Sequence, residues 1–111
     1  MKTVLVLLAP GFEEIETITV VDILRRAGAK VTLAGTEEGP LVGSRGISVL
    51  PDDLLDHVLE KEFDLVVLPG GQPGTDNLKK DARVSQLLKI MDSRGKYIAA
   101  ICAAPLVLKK A

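Results

Sequence analysis

The sequence predicts an open, doubly wound α/β fold, a mostly parallel sheet with helices on both faces. Three continuously apolar runs, rich in Val, Ile and Leu, occur at Thr3–Leu8, 64–68 and 97–101, which is typical of strands buried on both faces. Segments with helical periodicity separate these runs, and small or turn-forming residues follow each one. The 111 residues suffice for a single core.

The clearest predicted helix covers residues 13–27. Acidic residues crowd its first turn and two arginines close its last turn, which matches the direction of the helix dipole. Gly28 follows as a plausible helix stop.

The remaining segments alternate in the order that such a sheet requires. We expect, in turn, a strand, a small hairpin, a short polar helix or turn, and one or two helices closed by a glycine. They lie at 30–34, at Leu41–Val42 with 47–50, at 52–61, and at 76–94 before Gly95.

The composition excludes several classes of function. A formal net charge of -1 and 3% aromatic residues give no electrostatic or stacking surface for a nucleic acid. One cysteine and one histidine allow no disulfide framework and disfavour a metal site. No apolar run is long enough to span a membrane. We therefore expect a cytoplasmic protein with no metal, no nucleic-acid partner and no membrane partner.

Cys102 lies where an apolar strand runs into a helix through small residues. This is the layout of a nucleophile elbow, in which a sharp turn leaves no space for bulky neighbours. A thiol at a helix start also feels the positive end of the dipole, which favours the thiolate. A lone cysteine can equally be an inert buried residue, and position alone leaves both interpretations open.

Glu16 is the unusual acid of the first helix. It extends an apolar stripe of the helix toward the strand ends, whereas Glu13 and Glu14 already satisfy the dipole. A carboxyl group beside a thiolate tends to share one proton with it, so protonated Glu16 would donate to Cys102 and act as its general acid and base. The alternative is a simple first-turn residue. The stripe consists of Val20, Ile23, Leu24 and Ala27.

Gly70 and Gly71 follow the middle apolar run. Successive glycines let backbone N–H groups approach a ligand closely, and the N–H groups of Gly71 and Ala103 could form an oxyanion hole. An ordinary strand-ending turn is the alternative. The segment matches neither a dinucleotide fingerprint nor a phosphate-binding loop.

Four segments in order resemble the ThiJ/PfpI family, within it the branch that holds a human protein associated with Parkinson's disease and its bacterial relatives. The resemblance implies a flavodoxin-like sheet in which Cys102 is the nucleophile, Glu16 the acid that hydrogen-bonds it, and Gly71 and Ala103 the oxyanion donors. It adds Gly70, Arg45 and Arg26 as neighbours of the substrate or of the dimer contact. The segments are APGFEEIET at 9–17, VDILRRAG at 21–28, VLPGG at 67–71 and AAICAAP at 99–105.

The resemblance implies a cofactor-free glyoxalase or protein deglycase that acts on 2-oxoaldehydes or their adducts. The alternative is an oxidative-stress sensor or chaperone whose cysteine oxidises readily without turnover. An intracellular cysteine peptidase is disfavoured because it needs a positioned histidine base, and His57 does not match the family's histidine.

We expect residues 1–111 to be the N-terminal portion of a single domain that includes the elbow, because family members continue well beyond this point. A homodimer or a complementing C-terminal chain would then complete the sheet. Apolar residues off the main stripe of the first helix, at Ile15, Ile18 and Val21, favour a subunit contact on the other face of that helix.

Overall fold

The computed structural model describes residues 2–101 and 104–110, which form seven strands and five helices. The helices are α1 (Glu14–Arg26), α2 (Leu55–Val58), α3 (Gly74–Lys80), α4 (Ala82–Ser93) and α5 (Pro105–Lys110). The strands are β1 (Thr3–Leu8), β2 (Lys30–Gly35), β3 (Leu41–Val42), β4 (Ser48–Val49), β5 (Asp53–Leu54), β6 (Leu65–Leu68) and β7 (Tyr97–Ala100).

A parallel sheet in the order β5–β2–β1–β6–β7 organises the chain. The strand β1 lies at its centre, paired with β2 on one side and β6 on the other. The chain therefore moves outward from β1 in one direction and later crosses to the other side. Ligands bind beyond the carboxyl ends of the strands at such a switch point, so the ends of β1 and β6 are the place to look for a site.

The sheet is covered on both faces, as the apolar runs predicted. Alternate residues of β1 enter two separate cores, with Leu5 and Leu7 on one face and Val4, Val6 and Leu8 on the other. Helices α2 to α5 contribute to the first core, and α1 with the hairpin strand β3 contributes to the second. The predicted doubly wound α/β class is confirmed.

Most predicted elements occur within a residue or two of their expected bounds. The segment 76–94 holds two helices, because the backbone of Asp81 is extended and ends α3, and its carboxylate caps α4 by accepting a hydrogen bond from Arg83 N at 3.0 Å. The segment 52–61 was predicted without a strand, yet β5 pairs there with the end of β2. Two residues carry too little pattern to reveal such a strand.

The predicted burial of α1 was partly wrong. Val20 and Leu24 pack against the second core, but Ile23 is 57% exposed, and the buried residues of α1 are Glu14, Thr17 and Val21. At the start of α1, polar side chains face the protein interior. The reason is that this part of the helix packs on a hairpin turn rather than on apolar core. Within the described part of the chain, no helix is long and apolar enough to cross a membrane.

Candidate functional site

The first turn of α1 is bonded to the loop that follows β6. Glu13 N donates to Gly70 O at 3.0 Å, and Gly70 N donates to Glu16 Oε1 at 2.9 Å. Both backbone polar groups of Gly70 are thus held by one helix start. The Glu16 carboxyl group is thereby held at the carboxyl end of β6.

Gly71 lies where two loops approach each other most closely. Its φ is +99°, and a Cβ atom there would lie 2.6 Å from Glu13 N and 3.0 Å from Gly11 O. A side chain would therefore be strained by both conformation and space. The glycine requirement at this position is structural, and the role of the Gly71 N–H as an oxyanion donor stays a prediction.

The predicted nucleophile Cys102 and the predicted donor Ala103 lie outside the described residues. On either side of them, Ile101 N donates to Leu68 O at 3.2 Å and Ala104 N donates to Ile101 O at 2.9 Å. The strand β7 precedes these two positions and α5 follows them, in the order that an elbow requires.

A cleft of about 530 Å³ lies beside the loop that follows β6, and Arg45 of the same chain is among its lining residues. Its lining includes Arg45 and Ser44 of the hairpin, Gly71 and Gln72 of the strand-end loop, and Glu13 and Ile15 of α1. Arg45 and Gly71, both predicted site residues, therefore line one cleft without any second subunit.

Glu14 is a buried acid that the sequence analysis assigned to the helix dipole alone. Its side chain is 6% exposed and accepts hydrogen bonds from Arg45 N at 2.9 Å, Ile47 N at 3.1 Å and Ser44 Oγ at 3.3 Å. Burial opposes its ionisation, but these hydrogen bonds outweigh burial and lower the pKa of Glu14. The sequence held one sign of a further role for Glu14, because three acids at one helix start are more than the helix dipole needs.

Two other predicted residues lie away from this cleft. Arg26 is at the far end of α1, about 15 Å from Glu16 along the helix axis, where its Nε atom pairs with Asp22 Oδ1 at 2.9 Å. Within one chain it does not reach the site, and a contribution across a dimer stays a prediction. His57 is on α2, exposed and paired with Asp53 Oδ1 at 2.8 Å, a surface position as expected.

No other feature competes as a reactive centre in the described residues. A second cleft of about 480 Å³ lies where the strands begin, lined by residues that include Lys2, Asp64 and Tyr97, and holds none of the predicted site residues. Within 2–101 and 104–110, no group of three or more His, Cys, Asp or Glu side chains could hold a metal ion.

The fold and this carboxyl-end arrangement define a doubly wound α/β protein whose helix start holds an acid against a glycine loop. A model described as the DJ-1/PfpI family matches residues 2–111. The chain belongs to this family, which confirms the resemblance found in the sequence.

Individual relatives share both sequence and backbone with the chain. It is 51% identical over 110 residues to protein dj-1beta of Drosophila melanogaster, and the crystal structure of DJ-1beta from that organism superposes with a TM-score of 0.97 at 49% identity, covering 98% of this chain and 59% of that one. Oxidised DJ-1 of Toxoplasma gondii gives a TM-score of 0.93 at 41% identity, covering 96% of this chain and 59% of that one.

A relative with a named activity also matches. The glutathione-independent glyoxalase DJR-1.2 of Caenorhabditis elegans is 41% identical over 108 residues, 96% of this chain and 58% of that protein. The match to dj-1beta covers 98% of this chain but only 59% of that protein. The chain thus spans less than two thirds of the length of this relative.

Proposed function

We propose that the chain carries the reactive site of a cofactor-free, cysteine-dependent enzyme of the glyoxalase or protein deglycase type. The hydrogen bond from Gly70 N to Glu16 Oε1 carries this proposal. It fixes one carboxyl oxygen as an acceptor, so that in the acid form the proton is on the other oxygen and is available for transfer. The relative named a glutathione-independent glyoxalase supports the same activity.

The proposed reaction starts from a 2-oxoaldehyde in the cleft. The Cys102 thiolate forms a bond to the aldehyde carbon, the carbonyl π electrons move to the oxygen, and Glu16 gives that oxygen its proton, which yields a hemithioacetal. The backbone N–H groups of Gly71 and Ala103 would stabilise the oxygen while it is charged.

Glu16, now a carboxylate, removes the proton from the former aldehyde carbon and returns it to the neighbouring carbonyl carbon. The hydroxyl proton moves to the neighbouring oxygen, which leaves a thioester of Cys102. Water attacks the thioester carbonyl carbon, the C–S bond breaks with its electrons on sulfur, and the 2-hydroxy acid and the thiolate are released. One carbon is oxidised and its neighbour reduced, so atoms and electrons balance without an external oxidant. Adducts of the same aldehydes on proteins would be deglycase substrates of this site.

The proposal includes an assembly and a compartment. We expect a cytoplasmic protein that acts as a homodimer or with a complementing C-terminal chain. The exposed side chains of Ile15, at 73%, and Ile18 on the outer face of α1 support a subunit contact there.

Methylglyoxal consumption by the purified protein tests the proposed chemistry. Cys102→Ser should abolish consumption, and Glu16→Gln should reduce kcat by roughly 10²-fold or more, since a lost general acid or base typically costs that much. Glu60→Gln, the same neutralisation at an exposed glutamate outside α1, is the matched control and should leave the rate unchanged. Consumption that survives Cys102→Ser would refute the proposal.

A redox role for the same cysteine is the second candidate. The relative from Toxoplasma gondii was crystallised in an oxidised form, and an acid beside a thiol at a helix start favours the oxidisable thiolate. Intact mass after mild peroxide separates the two candidates. A gain of two oxygens at Cys102 in a protein that does not turn over methylglyoxal would favour the sensor, and no gain would exclude it.

A further inference from the structure

We propose that Glu14 is a positioning residue of this site, whose buried carboxylate holds the β3–β4 turn so that Arg45 stands over the cleft lined by Gly71. The inference rests on the proposed function, because a fixed arginine matters there only if the cleft takes anionic reactants or develops negative charge. It assigns separate tasks to two acids of one helix turn, with Glu16 at the strand-end loop and Glu14 at the hairpin.

The turn is built around the Glu14 carboxylate. Oε2 accepts from both Arg45 N and Ile47 N, while Oε1 accepts from the Ser44 hydroxyl. Charge-assisted hydrogen bonds to backbone N–H groups are stronger than neutral ones and are costly to lose when buried. Since one bond is made to the backbone of Arg45 itself, the position of that residue depends directly on this side chain.

The close fit leaves no space for a side chain at Gly43. A Cβ atom at this position would overlap the Glu14 carboxyl carbon. The turn is also tied to the loop after β1, because Ser44 N donates to Phe12 O at 2.8 Å and Gly11 N donates to Val42 O at 2.8 Å. The hairpin therefore moves as one unit with the loop that leads into α1.

Among the described residues that line this cleft, Arg45 carries a positive charge and Glu13 a negative one. A positive charge at this position attracts anions toward the cleft and lowers the energy of an oxyanion that forms in it. Glu14 would thus act on reactivity through Arg45, without touching the reactant.

Alkylation of the thiol by two reagents of similar size tests this without requiring turnover. Cys102 is the single cysteine of the chain, so alkylation reports on that thiol alone. The measured quantity is the ratio of the rate constant with iodoacetate, an anion, to that with neutral iodoacetamide. Arg45→Ala should lower this ratio by about threefold to tenfold, the effect of removing one nearby charge.

Two variants at Glu14 separate positioning from a purely structural role. Glu14→Asp keeps the charge but is one methylene too short to reach the turn, and should lower the ratio as far as Arg45→Ala does. Glu14→Gln keeps the reach but loses the charge-assisted bonds, and should give an intermediate ratio. In the Arg45→Ala background neither variant should lower it further, because both act through Arg45.

A purely structural Glu14 would lower the melting temperature and leave the ratio unchanged. An unchanged ratio in folded Glu14→Asp, or in Glu14→Gln if the aspartate variant does not fold, would overturn the inference. An unchanged ratio in Arg45→Ala, or a thiol that neither reagent reaches in the folded protein, would also overturn it. Absence of methylglyoxal turnover with the expected ratios would refute the proposed function alone.

Discussion

The two ends of α1 use charged residues in different ways. At its start, Glu14 and Glu16 bind backbone N–H groups of loops distant in sequence, whereas at its end Arg25 and Arg26 pair with the carboxylates of Asp52 and Asp22 at the surface. The helix dipole favours both arrangements. The order of charged residues along the sequence therefore predicts the helix. Which of those charged side chains belong to a site depends on the groups that each one binds in the fold.

Hydrogen-bond chemistry explains why the two ends should respond so differently to substitution. Loss of a buried acceptor leaves backbone N–H groups unsatisfied, whereas an exposed ion pair is weakened by solvent and by side-chain entropy. Substitution of the acids at the start of α1 should therefore change the geometry of the site, and substitution of the exposed Arg26 at its end should be nearly silent.

The largest effect is expected where the hairpin turn meets Glu14. Gly43→Ala would place a methyl group on the Glu14 carboxyl carbon, so we expect a loss of about 1–3 kcal/mol in the free energy of unfolding, the usual cost of overpacking. Urea titration followed by circular dichroism measures it. The same substitution in a Glu14→Ala background should cost less, because the overlapping carboxyl group is absent there, and an equal loss in that background would contradict the packing explanation.

The next effect depends on pH. The folded pKa of Glu14 lies below its ordinary value of 4.5, so its contribution to stability is present above that value and is lost as the pH falls through the folded pKa. The stability difference between the wild type and Glu14→Gln should therefore be fully present near neutral pH and should close in acid.

Comparison of the two proteins is essential, because hydrogen bonds also lower the pKa values of Asp53, Asp64 and Asp81. All of these groups contribute to acid unfolding, but they are common to the wild type and the variant. Urea midpoints at a series of pH values give the difference. If the stability difference between the two proteins stays the same well below the ordinary pKa of a glutamate, the charge of Glu14 does not stabilise the turn.

Sequence patterns could predict the start of α1 only in part. Glu16 was found because it continues a helical stripe toward the strand ends, and β1 was found in full because a continuous apolar run is a local signal. The partner of Glu14 is a turn more than thirty residues away, which binds through backbone N–H groups that every residue except proline carries. No local pattern encodes that contact, and for the same reason the short strand β5 was missed.

The smallest effect is expected at the end of α1. The Arg26 and Asp22 side chains are 78% and 55% exposed and lie one helical turn apart, a type of pair that contributes about 0.3–0.5 kcal/mol. Arg26→Ala should change the free energy of unfolding by no more than this and should leave the alkylation ratio at Cys102 unchanged in the monomer. A ratio that falls in Arg26→Ala only at concentrations where the protein dimerises would instead place this arginine beside the partner's cleft, because within one chain the length of α1 keeps it from Glu16.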